Sequence, residues 1–129
     1  TDAIVKFHQS MSETDAYGFD KVRDEQQELG NQVRGLMNSH GFKSLAADQY
    51  GAPGVVVCYT DDPDIHNGSK FAKVGLQTAA GVPLMCDEPD DFQTFRVGLF
   101  GLDKLHNIDR TVSSLDAALS KVTGGTNVR

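Results

Sequence analysis

Apolar and other residues alternate from Phe95 to Leu99, and this alternation predicts a β-strand. Phe95, Val97 and Leu99 recur at every second position, so they share one face of the strand. Arg96 and Gly98 share the opposite face. We therefore expect Arg96 to point away from the packed side of the sheet.

The stretch that follows has the period of a helix instead. Asn107 is a residue type that favours the N-cap position. The apolar residues after it recur at alternating spacings of four and three, which predicts one apolar stripe: Ile108, Val112, Leu115, Leu119 and Val122. Gly124 and Gly125 are predicted to end this helix.

Two further helical patterns open the chain. A weak one covers residues 2–16 and is interrupted by Gly18; a stronger one covers residues 19–39 and stops at His40-Gly41. Gly30 and Gly35 lie inside the second helix, where each costs about 1 kcal/mol relative to alanine. We therefore expect another segment to pack closely against them. The apolar face of this helix is interpreted as covering the domain's own sheet, in preference to a surface for a partner.

The middle of the chain contains three strand patterns. Residues 55–60 form a β-branched run that is apolar at consecutive positions, which predicts a strand covered on both faces. Residues 42–46 are a shorter candidate. Residues 82–86 contain Pro83, so that strand is expected at an edge or to begin at the proline.

An aspartate-rich turn follows the strand predicted at residues 55–60 and precedes the one predicted at residues 82–86. Asp61-Asp62-Pro63-Asp64 lacks the alternating oxygen ligands and the central glycine of a calcium loop. Asp62 suits an N-cap, Pro63 the first helical position, and Asp64 the positive end of a helix dipole. The pattern predicts a helix that continues to Ala79 and closes at Gly81. Residues 87–91 are then predicted to be a solvated acidic loop.

Together these elements predict an α+β fold in two layers. We expect a mostly antiparallel sheet of three to four strands with helices packed on one face. The predicted order is helix, helix, strand, helix, strand, strand, helix.

Composition limits the kinds of partner. The chain has 129 residues, a formal net charge of -6, and 39% hydrophobic and 23% charged residues, which is typical of one ordinary globular domain. Without a basic cluster, we expect neither nucleic acid nor membrane as a partner. Cys58 and Cys86 are expected to be buried thiols in a reducing compartment, with a disulfide between neighbouring strands as the less favoured alternative.

The strand and helix at the C-terminal end resemble a known family. Phe-Arg-Val-Gly-Leu-Phe-Gly at 95–101 and Asn-Ile-Asp-Arg at 107–110 are similar to the end of the small domain of class V (fold type I) aminotransferases, in particular the alanine-glyoxylate and serine-pyruvate group. Tyr17-Gly18-Phe19 and His40-Gly41-Phe42 fit, more loosely, two earlier places in that domain.

The resemblance implies both a role and a division of the chain. In that family the arginine of the corresponding strand binds the substrate carboxylate, which assigns this role to Arg96. Residues 1–17 would be the tail of a helix from a missing large domain, 18–125 the small domain, and 126–129 a tail. Because the chain begins at Thr1 and not at methionine, we expect a processed protein or a fragment.

The same resemblance implies the activity of the whole enzyme. It would be a cytoplasmic homodimer that uses pyridoxal 5'-phosphate to move an amino group between alanine or serine and glyoxylate or pyruvate. The Schiff-base lysine, the aspartate that pairs with the pyridinium nitrogen and the phosphate-binding residues belong to the large domain of that family. This chain alone is therefore expected to be inactive and to bind no cofactor.

Other interpretations remain open. From its position alone, Arg96 is also compatible with an ion pair or a solvated strand edge. The chain could be a free-standing module that binds a carboxylate metabolite without catalysis, or an interaction domain that dimerises through its first helix. No histidine spacing typical of zinc and no phosphate-binding glycine motif is present.

Overall fold

Two helices lead the chain, as the sequence predicts. In the computed structural model, which describes residues 1–124, α1 spans Asp2–Tyr17 and α2 spans Phe19–Ser39. Gly18 separates them with a φ of 108°, a value that favours glycine. The predicted stop at Gly125 and the tail at 126–129 lie outside the described residues.

A three-stranded antiparallel sheet forms the second layer. The strands β1 (Val55–Tyr59), β2 (Ala79–Ala80) and β3 (Thr94–Gly98) are arranged in the order β1-β3-β2. The strand predicted from Phe95 to Leu99 is therefore the central one, paired on both sides. The α+β prediction is confirmed.

The remaining helices are short except for the last. They are a 3-10 turn at Asp48–Tyr50, α3 at Pro63–His66, α4 at Ser69–Ala72, α5 at Leu102–His106 and α6 at Ile108–Val122. No helix within residues 1–124 combines the length and the apolar character needed to cross a bilayer.

The core lies between the helices and one face of the sheet. Phe95 is fully buried, and its ring centroid is 5.1 Å from that of Phe42 and 5.5 Å from that of Phe71. Val56 pairs with Val97 and Cys58 with Phe95 on this same face. The helices α2 and α6 close it with their predicted apolar stripes, including the buried residues Leu29, Val33, Met37, Leu115, Leu119 and Val122.

The other face of the sheet is more open. Val55, Val57 and Arg96 are half-buried there, and Tyr59 is exposed. The prediction that β1 would be covered on both faces is therefore wrong, because the described helices pack on one face only. Residues 42–46 also fall short of a strand. They meet β1 at a single bridge, Ser44 to Cys58.

The predicted helix from Pro63 to Ala79 is broken after one turn. Its start is correct, since the Asp62 side chain accepts hydrogen bonds from the backbone N–H groups of Asp64 and Ile65. The chain then turns at Gly68, which has a φ of 82°. Ala79–Ala80 pairs with β3 and becomes strand rather than helix, because the edge of β3 offers hydrogen bonds that a helix end does not.

The end of the sheet and the start of the last helix also differ from the prediction in detail. No strand forms at residues 82–86, and β2 lies just before them. Asn107 does precede α6, but its side chain makes no cap: Nδ2 donates to the Asp103 carbonyl at 2.9 Å. The helix α5, which was not predicted, supplies that carbonyl.

The two glycines inside α2 have different surroundings. A Cβ on Gly30 would lie 2.7 Å from the Pro53 carbonyl oxygen, whereas a Cβ on Gly35 would have nothing within 4 Å. The expected close packing is confirmed at Gly30 and wrong at Gly35.

This contrast supplies a matched pair of substitutions on one helix. We expect Gly30→Ala to lower the free energy of unfolding by about 1–3 kcal/mol, because the new methyl group overlaps backbone. Gly35→Ala should raise it by about 0.5–1 kcal/mol through helix propensity. Urea unfolding followed by circular dichroism measures both. Equal effects of the two substitutions would contradict this account of the packing at Gly30.

Candidate functional site

Arg96 stands on the open face of the central strand, where the sequence predicts it. The neighbouring positions Phe95 and Val97 are buried in the core, and the alternation of a strand therefore places Arg96 on the opposite side. Its Nε atom donates a hydrogen bond to the Ala80 carbonyl oxygen at 3.0 Å. The side chain is thus anchored along the edge strand β2.

The rest of the guanidinium group has no hydrogen-bond or ion-pair partner among residues 1–124. Within residues 1–124, the two Nη atoms of Arg96 make no hydrogen bond, and Arg96 takes part in no ion pair. β3 is also the central strand, so Arg96 does not occupy a strand edge. A planar pair of N–H donors is thus left available, which is the arrangement that binds a carboxylate in a bidentate manner.

A cavity of about 310 Å³ lies beside Arg96. Arg96 is the one charged residue on its lining, which in the described chain contains no carboxylate. The full lining is Val55, Gln77, Thr78, Ala79, Arg96, Gly98 and Phe100. In a chain of net charge -6, a small space with one cation and no acid is suited to an anionic ligand.

Two walls of this cavity are defined by close packing. The Phe100 ring covers Gly54, where a Cβ would lie 2.4 Å from Cε1 of the ring. Thr78 Oγ1 is buried without a hydrogen-bond partner in the described residues. It lies 3.1 Å from the place a Cβ of Gly68 would occupy, so this hydroxyl faces Gly68.

A larger cavity, of about 930 Å³, has less suitable chemistry for a carboxylate. Its lining includes Asp61, Glu88 and Asp91 against a single cation, Lys43. Like charges on the wall repel an anionic ligand. Within residues 1–124, no group of three or more His, Cys, Asp and Glu could hold a metal ion, so this acidic wall is not a metal site either.

The lysines do not form a site for pyridoxal phosphate. A Schiff-base lysine needs an enclosed position against the cofactor, but every lysine here is exposed or half-buried. The two half-buried ones are already engaged: Lys70 pairs with Asp62, and Lys104 Nζ donates to the Phe100 carbonyl at 2.9 Å. None of the lysines in residues 1–124 therefore has the enclosed position that a Schiff base requires.

The two cysteines differ from each other. Cys58 is buried on the packed face as expected, and burial raises the pKa of its thiol to about 11, against the opposing effect of the Arg34 charge. It is thus a neutral thiol and a poor nucleophile. Cys86 was expected to be buried in a strand, but it is exposed in a loop, because the strand at residues 82–86 does not form.

Glu88 explains why that strand is absent. Its carboxylate accepts hydrogen bonds from the backbone N–H groups of Leu84, Met85 and Cys86, at 2.6, 3.0 and 2.8 Å. Those are the donors a strand would need, so a local side chain replaces the sheet as their partner. The acidic loop is therefore not simply solvated: one of its carboxylates organises the preceding segment.

Sequence reasoning missed Glu88 and also Arg34, which reaches the backbone of β1. Arg34 could have been found, because it follows Val33 and lies one turn after Gly30 on the packed side of α2. A charged residue at such a position predicts a specific partner. No comparable sequence signal marks Glu88, whose role depends on the path of the loop.

Comparison of the chain with protein-family models finds no match, and comparison with curated proteins finds none either.

The Glu88 contacts make a prediction about pH. Hydrogen bonds from backbone N–H groups, first that of Cys86, then those of Glu88 itself, Met85 and Leu84, hold the pKa of this carboxyl at about 2, below its ordinary value of 4.5. A carboxyl with a lowered pKa in the folded state stabilises the fold above its unfolded pKa, and this contribution is lost as the pH falls through the folded value. We expect the loss between about pH 4.5 and pH 2.

Nuclear magnetic resonance titration measures this directly. The Glu88 side-chain carbon and the amides of Leu84, Met85 and Cys86 should titrate together with a midpoint near 2. Glu88→Gln should be less stable than the native chain at pH 6, and the difference should shrink toward pH 2. Asp90→Asn, an exposed neighbour in the same loop, serves as the control. A Glu88 midpoint near 4.5 would show that the three contacts do not form.

Proposed function

We propose that this chain is the small C-terminal domain of a class V aminotransferase and that Arg96 binds the substrate carboxylate. The observation that carries the proposal is the position of Arg96. It stands on the open face of the central strand, beside a cavity whose described lining holds no other charged residue. The motifs at 95–101 and 107–110 support the choice of family.

Arg96 contributes binding and orientation in this proposal. Its hydrogen bond to the Ala80 carbonyl fixes one side of the guanidinium group, which lowers the entropy lost when a ligand binds. The remaining N–H donors take the two oxygens of a carboxylate and so fix the direction of the adjacent α-carbon. The cavity volume of about 310 Å³ suits a small amino acid or 2-oxo acid such as alanine, serine, glyoxylate or pyruvate.

The remaining parts of the enzyme lie outside this chain in the proposal. We assign pyridoxal 5'-phosphate, which carries the carbanion chemistry, and its lysine to a separate large domain. We further propose a cytoplasmic homodimer. The exposed apolar residues of α1, which include Ile4, Phe7 and Met11, are available for contact with that domain or with a second subunit.

A second candidate function rests on the independence of the core. The described helices α2 to α6 and the strands β1 and β3 share one buried cluster, so residues 19–124 have the organisation of a self-contained domain. Such a domain could bind a carboxylate metabolite at Arg96 as a free-standing module without catalysis. The two candidates share Arg96 and differ in whether a catalytic domain accompanies it.

The reading frame upstream of the Thr1 codon separates the two candidates. A large α/β domain with a lysine after a strand supports the aminotransferase. A start codon immediately before Thr1 favours the free-standing module. In the second case, calorimetry of the 129-residue chain with alanine, pyruvate and glyoxylate should detect binding.

Replacement of Arg96 tests the role of its guanidinium. In the full-length enzyme, we expect Arg96→Ala to raise KM by about 100-fold, the equivalent of two charge-assisted hydrogen bonds. The absorbance of the bound cofactor should not change. Arg110→Ala is a matched control, because Arg110 is exposed and pairs with Asp103. A KM unaffected by Arg96→Ala would refute the assignment.

The exposed face of α1 tests the third interpretation, an interaction domain. Phe7 and Met11 lie on one face of the helix, with 67% and 50% of their surfaces exposed. If the chain associates through this face, Phe7→Glu should weaken self-association at least tenfold, because the charge would be buried. Sedimentation equilibrium of the 129-residue chain measures the dissociation constant of self-association. Gln9→Glu, which adds the same charge on the opposite side of α1, should have no effect. A chain that stays monomeric at all concentrations excludes this interpretation.

A further inference from the structure

A second cavity lies where β1 ends and β3 begins, and the proposed function does not use it. Tyr59, the last residue of β1, and Gln93, which precedes β3, both line it. Its volume of about 930 Å³ is within the range of cavities that bind small molecules. It shares no lining residue with the cavity beside Arg96. Binding in the two cavities can therefore be tested separately.

Apolar and aromatic side chains form much of the wall of this cavity. They are those of Phe42, Leu45, Tyr59, Leu84, Pro89 and Phe92. Tyr59 and Leu84 expose 38% and 47% of their surfaces, so a ligand that enters the cavity can reach them. A ligand with an apolar body would remove this surface from water, which favours binding.

Two of these side chains form an aromatic corner. The ring centroids of Tyr59 and Phe92 are 5.8 Å apart, and the ring planes meet at 88°. The face of an aromatic ring attracts a cation within about 6 Å of its centroid. Within residues 1–124, the one cation that lies over a ring is Lys21, over Tyr17. No cation of the described chain therefore occupies the aromatic corner.

The charges on the wall are mostly negative. Asp61, Glu88 and Asp91 face a single cation, Lys43. The Glu88 carboxylate already accepts hydrogen bonds from the backbone of its own loop. Asp61 and Asp91 are exposed, and within residues 1–124 neither takes part in an ion pair. The wall thus has two accessible carboxylates that no cation of the described chain neutralises.

The backbone places these two carboxylates on neighbouring segments. Thr60 N donates to the Gln93 carbonyl oxygen at 3.0 Å, and Gln93 Nε2 donates to the Thr60 carbonyl oxygen at 3.1 Å. These bonds extend the pairing of β1 and β3 by one residue beyond the strands. Asp61 comes directly after this pair on one segment, and Asp91 lies just before it on the other. A positive charge in the cavity would therefore be attracted by both carboxylates.

We propose that this cavity binds a small organic cation, an ammonium group carried by an apolar body. Asp61 and Asp91 attract the charge, and the Tyr59 and Phe92 rings contribute a cation–π contact. The apolar wall packs against the body of the ligand. An inorganic cation would leave the apolar wall in water, and a neutral apolar molecule would leave the carboxylates without a counter-charge. The combination of the two features selects the amphipathic cation.

A nuclear magnetic resonance titration of the 129-residue chain tests the proposal with phenethylammonium chloride as the probe. We expect saturable shifts of the amides of Tyr59, Asp61 and Phe92. Two matched probes separate the contributions: 2-phenylethanol has a similar body without the charge, and ammonium chloride has the charge without the body. Each should bind at least tenfold more weakly. Sodium chloride holds the ionic strength constant, because salt screens exposed charges.

Substitutions on the wall locate the binding. Asp61→Asn and Asp91→Asn should each raise the Kd for phenethylammonium about threefold, and together about tenfold, since each removes one charge at an exposed position. Tyr59→Leu keeps an apolar side chain but removes the ring, and it should also raise the Kd about threefold. Asp90→Asn is the matched control, because Asp90 is exposed in the same loop but does not line this cavity. It should leave the Kd unchanged.

Three results would overturn the proposal. The first is the absence of saturable phenethylammonium binding, including the case in which a lysine-rich peptide binds instead and assigns the cavity to a protein partner. The second is equal binding of 2-phenylethanol, since the charge would then contribute nothing. The third is native affinity in the double variant of Asp61 and Asp91. Both positions are exposed, so this variant keeps the core intact and still provides the test if Tyr59→Leu fails to fold.

Discussion

The central strand β3 is the element on which the rest of the structure depends. It pairs with β1 on one side and β2 on the other, so it connects both edges of the sheet. Phe95 lies at the contact between Phe42 and Phe71, which joins the segments before and after β1 to one core. Loss of this packing would expose the apolar faces of α2 and α6 as well.

The alternation of side chains between the two faces of β3 also determines where the candidate site lies. Each residue buried in the core requires its neighbour to face the other way. Arg96 therefore reaches the open face and keeps its charge out of the core, and the nearby edge strand provides a carbonyl that accepts a hydrogen bond from it. A cation anchored to backbone and otherwise unpaired is well suited to select an anionic ligand. This local geometry is common to the aminotransferase proposal and to the free-standing module.

Arg34 follows the same principle at the other edge of the sheet. β1 is an edge strand, and its outward carbonyls need donors. Leu45 N serves Val57, and the Arg34 side chain serves Val55. Each arginine thus satisfies a strand carbonyl with one nitrogen. In Arg34 the remaining Nε is removed from water and packs against Gly51.

The sequence by itself determined the elements whose pattern is long and regular. The helices α1, α2 and α6, the strand β3, the cap at Asp62 and the direction of Arg96 all follow from local periodicity and residue type. The tertiary structure decided the rest. Ala79–Ala80 forms a strand because it pairs with the free edge of β3. Residues 82–86 form a loop because the Glu88 carboxylate accepts hydrogen bonds from the N–H groups of Leu84, Met85 and Cys86. The contact of Arg34 with the Val55 carbonyl likewise depends on how α2 lies against β1. These features arise from hydrogen-bond competition and contacts between distant segments, which periodicity along the chain does not encode.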